Sequence, residues 1–134
     1  MFRKVLTCGL VGTAALLSSS AFAQEAYTNE ELAAFALEQG KPAVVAKFRG
    51  KDITVSGTFD SFSDTGYGNT VSIYLEGQKF NSWKAVCSFP RDDTAAYDKF
   101  AAYVKGDPVT FTGRFQEAND SFMIINLAPC QPAM

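Results

Sequence analysis

Between Lys51 and Cys130 apolar residues recur at every second position in several short runs, and the lengths and breaks of those runs predict five strands and one helix. In Ile53–Phe59, Ile53, Val55, Gly57 and Phe59 fall on one face, and Thr54, Ser56 and Thr58 on the other. Thr70–Leu75 repeats the pattern, with Val71, Ile73 and Leu75 inward and Thr70, Ser72 and Tyr74 outward. The run Trp83–Phe89 is read with Trp83, Ala85, Cys87 and Phe89 inward, Lys84, Val86 and Ser88 outward, and Pro90 as its end. After it the period lengthens. Ala96, Tyr97, Phe100, Ala101 and Val104 recur at helical spacing behind Asp92 or Asp93 as N-cap, and Lys105-Gly106 closes the helix. Val109–Phe115 then places Val109, Phe111, Gly113 and Phe115 inward, and Phe122–Leu127 does the same for Met123, Ile125 and Leu127. A glycine inside a strand weakens pairing unless a bend needs it, so Gly57 is read as the kink that lets the first strand serve two halves of a sheet, with Gly113 in a matching part.

Upstream, Thr28-Asn29-Glu30-Glu31 has the form of a capping box, which starts a helix at about Asn29; Leu32, Phe35 and Ala36 share its buried face, and Gly40 followed by Lys41-Pro42 reads as its stop. Ala43–Phe48 is apolar and open between a second helical turn and a connection. Three strands, a helix and two more strands is the order of a five-stranded OB-fold β-barrel, so the fold class is all-β with helices, carrying an N-terminal helix. The division this implies is a leader over residues 1–23, a helical segment over 24–48 and the barrel over 49–134.

The leader is read from Arg3 and Lys4, an apolar stretch from Val5 to Leu17, and the small-residue site before Gln24, with cleavage near Ala23. A membrane-spanning helix needs about 20 apolar residues, and this stretch is shorter and interrupted by Thr7, Gly9, Gly12 and Thr13. The expectation is export to the periplasm or beyond, with Cys8 discarded. Loss of Arg3 and Lys4 from the twelve Lys and Arg leaves ten against fourteen Asp and Glu, so the mature chain is acidic. A strong nucleic-acid binder is normally basic, which disfavours that class of partner.

Lys51–Cys130 resembles the tRNA-anticodon-binding-like OB-fold family of small exported bacterial proteins. The residues that carry the resemblance are Arg49-Gly50-Lys51 leading into Ile53–Gly57, the strand Ala85–Phe89, the stretch Lys105–Gly113, and the terminal Leu127 to Cys130. The resemblance implies the barrel fold and a nucleic-acid-binding ancestry, and it brings no catalytic residue set.

In an oxidising compartment the remaining cysteines, Cys87 and Cys130, allow one intramolecular disulfide, and they lack the Cys-x-x-Cys spacing of a redox-active pair. Closing a loop of that length stabilises by about 3–4 kcal/mol in the chain-entropy account. The chain has no histidine, the commonest general base and metal ligand, and no cofactor site is marked; the expectation is a protein that is not an enzyme. An OB-fold binds along the face of its second and third strands and the flanking loops. Here those positions offer Tyr67, Tyr74, Lys79 and Phe80, then Trp83, Lys84, Arg91 and Asn119, with Phe122 beside them. Aromatics next to cations form a stacking platform. The partners this suggests are a protein or peptide, an envelope oligosaccharide, or single-stranded nucleic acid, with an envelope scaffold lacking a small ligand as the remaining reading.

Overall fold

The computed structural model describes residues 25–66, 68–77 and 83–133. The expected leader, together with Tyr67, Lys79 and Phe80, lies outside the described residues. The elements run β1 (Glu25–Thr28), α1 (Asn29–Gln39), α2 (Lys41–Phe48), β2 (Asp52–Ser63), β3 (Thr70–Leu75), β4 (Lys84–Pro90), α3 (Thr94–Ala101), β5 (Pro108–Asn119) and β6 (Ile124–Pro132).

The six strands form one mixed sheet in the order β1-β2-β3-β4-β6-β5, and β5 pairs back onto β2. That last pairing closes a circuit of five strands. It depends on β2 changing partner along its length: Asp52–Thr58 pairs with Pro108–Arg114, and Phe59–Ser63 pairs with Ser72–Leu75. The register shift that accompanies the change lies between Phe59 and Ser61, beyond the expected kink at Gly57. Gly57 serves a different need, because a Cβ there would stand 2.9 Å from a Leu75 methyl and 3.1 Å from Asn29 Cβ. Gly113 answers the same kind of constraint against harder neighbours. A Cβ at that position would meet Cys130 Cβ at 2.9 Å, Cys130 Cα at 3.0 Å and Leu127 Cβ at 3.0 Å. The Cys87–Cys130 disulfide forms as expected, with the two Cα atoms 5.5 Å apart.

The alternation predicted for the strands holds for the inward set. Ile53, Val55, Val71, Ile73, Leu75, Ala85, Cys87, Phe89, Val109, Phe111, Ile125 and Leu127 are all buried in one core. Helices close both ends of it. At one end α1 and α2 contribute Leu32, Ala36, Val44 and Phe48, and the Phe48 ring lies 6.2 Å from that of Phe115. At the other end Phe100 of α3 stacks on Phe89 at 5.4 Å. Asn29 fastens α1 to the sheet. Its buried Nδ2 donates to the Glu76 carbonyl at 3.0 Å, and its Oδ1 accepts from the Ala85 amide at 2.8 Å, so one side chain replaces the pairing that β3 and β4 no longer make there.

Several expectations change. The sheet has six strands instead of five, and an N-terminal strand precedes the first helix. That strand has only four residues, too few for an alternation to show, and it forms because Glu25–Thr28 lies parallel to Ile53–Ser56. The first helix stops at Gly40, at φ 84°, as expected, while the stretch left open after it is a second helix, α2, with Pro42 in its first turn, where its missing N–H costs nothing. Helix α3 ends at Ala101, leaving Val104 exposed. Strand β6 begins at Ile124, and Met123 adopts a left-handed backbone at φ 57° in the turn before it. Val86 and Ser88 point outward yet are 2% and 5% exposed, because β4 lies between β3 and β6 and their side chains cover it. The capping box at Thr28 and Glu31 is present in both directions, and Asp93 caps α3.

Two variants check this packing. Gly113→Ala forces the backbone of the Cys130 strand away and is expected to lower unfolding stability by about 1–3 kcal/mol. Asn29→Ala strands a buried amide and a carbonyl and is expected to cost a similar ~1–3 kcal/mol. Urea denaturation measures both, and a loss under about 0.5 kcal/mol in either would contradict the corresponding contact.

Candidate binding face

Helices cover both ends of the core, and outside the circuit the outward residues of β3, β4, β6 and β5 form one continuous face. Ser72 and Tyr74 come from β3, Lys84, Val86 and Ser88 from β4, and Ile124 and Asn126 from β6. Register aligns them in rows: Tyr74 lies opposite Val86, Val86 beside Asn126, Lys84 beside Ile124, and Ile124 opposite Asn119.

A hydrogen-bonded ladder crosses this face. Ser72 and Ser88 hydroxyls are 3.0 Å apart, Ser88 donates to Asn126 Oδ1 at 2.9 Å, and Asn126 Nδ2 donates to Gln116 Oε1. A hydroxyl has one proton, and that of Ser88 goes to Asn126; Ser72 is therefore the donor in the first contact. The chain of bonds runs one way across four strands and ends at the amide N–H groups of exposed Gln116. Bonds aligned in one direction polarise one another, which strengthens the terminal donor.

At the end of the face near β4's start, the Lys84 ammonium lies 5.9 Å from the centre of the Tyr74 ring, a cation–π pair, and both side chains are half-buried. The turn between β5 and β6 adjoins it. Asn119 Oδ1 accepts from the amides of Ser121 (2.9 Å) and Phe122 (3.1 Å), and the Lys84 amide donates to the Met123 carbonyl at 3.0 Å. The fixed turn presents Phe122 at 74% exposure.

The opposite end is held by Asp64. Its Oδ1 accepts from Arg91 Nη2 at 2.6 Å and Nε at 3.2 Å and from the Gly66 amide at 3.0 Å, while Oδ2 accepts from the Tyr97 hydroxyl at 2.9 Å. Arg91 also donates to the Gly68 carbonyl. The Arg91 guanidinium first, then the Gly66 amide and Tyr97, hold the Asp64 carboxyl down at about 2, and the same contact raises Arg91. The loop between β2 and β3 is thereby tied to β4 and α3.

The structure therefore brings Tyr74 and Lys84 together and sets Asn119 in the adjoining turn, where its side chain is engaged with the backbone. Arg91 acts on the loop, its charge matched by Asp64. Trp83 is corrected: it is 4% exposed within the core and has no surface to stack on a ligand, since the inward phase of β4 extends back to it. Tyr67, Lys79 and Phe80 lie outside the described residues. Sequence reasoning missed the ladder, although Ser72 and Ser88 carried its signal as small polar residues at outward positions of adjacent strands.

The sequence matches no protein-family model and no curated protein. Among solved structures, a putative nucleic acid-binding lipoprotein from Klebsiella pneumoniae is similar over 93% of this chain and 100% of that one, with a TM-score of 0.62 and 19% identity. An OBody bound to hen egg-white lysozyme is similar over 64% of this chain and 84% of that one, with a TM-score of 0.44 and 17% identity. The first of these likenesses shows a shared fold.

The Asp64 clamp carries a pH signature. A carboxylate whose folded pKa is depressed contributes stability above its unfolded pKa of about 3.9 and loses it as pH falls toward the folded value. The stability difference between wild type and Asp64→Asn should hold steady above about pH 5 and shrink as pH falls from about 4 to 2. Thermal unfolding at stepped pH measures it, and a difference that stays constant across that window would contradict the clamp.

Proposed function

We propose that the chain is a non-catalytic, exported OB-fold binding module that receives an uncharged, extended ligand, a peptide or an oligosaccharide, on the outer face of β3, β4, β6 and β5. The observation that carries this reading is the uncharged ladder Ser72–Ser88–Asn126–Gln116 flanked by the Tyr74–Lys84 pair. The closed circuit of five strands with an inserted helix supports the OB-fold, and the plugged core supports an outer-face site. Residues 25–48 act in this reading as a lid on one end of the core. The absence of histidine from the sequence fits binding better than general acid–base chemistry.

Single-stranded nucleic acid is the second reading, favoured by the description of the Klebsiella protein and by an aromatic beside a cation. Charge ranks it lower. Arg91 is matched by Asp64, Glu117 stands opposite Asn126 beside the ladder, and the acidic mature chain makes a weak phosphate track.

A titration panel of neutral oligosaccharides, neutral peptides and single-stranded oligonucleotides separates the readings. A neutral ligand is expected to bind with little change in affinity between about 50 and 200 mM salt, where a ligand held by many phosphate contacts loses ~10³-fold or more. Tyr74→Ala and Phe122→Ala are each expected to weaken it about tenfold, equal to ~1.4 kcal/mol. Oligonucleotide binding alone with a steep salt slope, or no binding across the panel, would overturn the proposal.

A further inference from the structure

Four hollows on the described surface differ in the charge of their walls. The cleft of about 590 Å³ at the start of α1 contains Glu30 and Glu76, the hollow of about 760 Å³ beside β5 contains Asp52 and Arg114, and the hollow of about 220 Å³ at α3 contains Asp93 and Lys99. The fourth, of about 320 Å³, has no ionisable side chain in its lining. Its polar groups are Asn69, Thr70, Ser88 and Gln116, and its apolar walls are Phe89, Pro90, Ala128 and Pro129. It lies where the ladder ends, since Ser88 and Gln116 belong to both.

We propose that this groove is a subsite for a neutral sugar unit, so that the ligand of the binding face is an uncharged oligosaccharide; the inference rests on the binding-module reading above. A pyranose has an apolar C–H face and a rim of hydroxyls that both donate and accept. Pro90 and Pro129, both exposed, meet the first requirement, and the hydroxyl and amide groups of Thr70, Asn69 and Gln116 meet the second. Gln116 takes its ladder bond on Oε1, so in this proposal its amide N–H groups give a hydrogen bond to a sugar oxygen. The volume lies at the lower end of the range for small-ligand pockets, about 300–1,000 Å³, which suits one or two sugar units with the remainder of the chain running toward Tyr74.

A peptide fits this site less well. Extended peptides gain much of their affinity by adding a strand to a free sheet edge. Here β3, β4 and β6 are interior strands, and in the groove, past Cys87 and Leu127 where the pairing of β4 with β6 ends, Pro90 and Pro129 have no N–H to give an added strand. Nucleic acid would bring phosphates to a groove without a cation in its lining.

The test follows backbone and side-chain amide resonances of the isotope-labelled protein during titration with neutral linear tetrasaccharides built from glucose, galactose or N-acetylglucosamine. A neutral peptide and a deoxythymidine oligonucleotide serve as parallel probes. Expected are shifts at Asn69, Thr70 and Ser88 and of the Gln116 side-chain NH₂ with at least one tetrasaccharide, and a tenfold or greater loss of affinity in Gln116→Ala at unchanged stability. Thr70→Val is a second variant with the hydroxyl removed and the shape kept. Saccharide binding that leaves these resonances unmoved, or that Gln116→Ala and Thr70→Val do not weaken, overturns the subsite. Peptide binding to the face without any saccharide binding overturns this inference and leaves the binding module standing. No response to any probe overturns both.

Discussion

The seam between Asp52–Thr58 and Pro108–Arg114 is the interaction on which the rest of the molecule depends. Without it β2 and β5 would each present an unpaired edge, and the sheet would open around an apolar interior that helices at its two ends could not cover. The seam extends past the paired residues at both ends, with the Phe115 amide on the Lys51 carbonyl at 2.9 Å and the Phe59 amide on the Asp107 carbonyl at 2.8 Å. On its outer side the Thr54 and Thr112 hydroxyls meet at 2.8 Å. Next to the seam, Gly113 lets β5 and β6 approach closely enough to carry the disulfide on Cys130. One strand that changes partners, one glycine without a side chain and one covalent link thus set the curvature of the whole sheet.

Closure also decides where function can reside. Among the described residues Phe48 fills one end of the core and Phe100 the other, and alternation turns the polar positions of the strands outward. Strand β4 is the centre of that outer surface. Its neighbours cover it so completely that Val86 and Ser88 are buried although they face away from the core. A buried hydroxyl needs a partner, and Ser88 has two, Ser72 and Asn126. The ladder is therefore a consequence of packing. The clamp at Asp64 and the turn at Asn119 fix the two loops that flank the face, so the surface is preorganised at both ends.

Much of this was legible in the sequence wherever the controlling interaction is local. The Thr28–Glu31 capping box, the Asp93 cap and the inward phase of the strands within the closed circuit depend on residues a few positions apart, and each is found where the pattern places it. Features set by distant partners were less readable. Glu25–Thr28 becomes a strand only because Ile53–Ser56 lies alongside, and the change of partner along β2, which Gly57 suggests from the sequence, falls at Phe59–Ser61, where no local pattern marks it. For Trp83 the strand phase, which reads it inward, agrees with the structure, and its aromatic type, which places it among the ligand-face candidates, does not. The ladder joins residues from four strands, and a single serine in a run says nothing of the amide that will meet it. Phe122 is named beside the face from the sequence, but the turn that exposes it is set by the Asn119 side chain.

Native-state hydrogen exchange at the seam tests the closed circuit most directly. The amides of Phe59 and Phe115, and the paired amides of Asp52–Thr58 and Val109–Arg114, should exchange only through global unfolding, with the same opening free energy as the amides that pair β3 with β4. Exchange at the seam by local opening, many-fold faster than at β3 and β4 under the same conditions, would contradict the account.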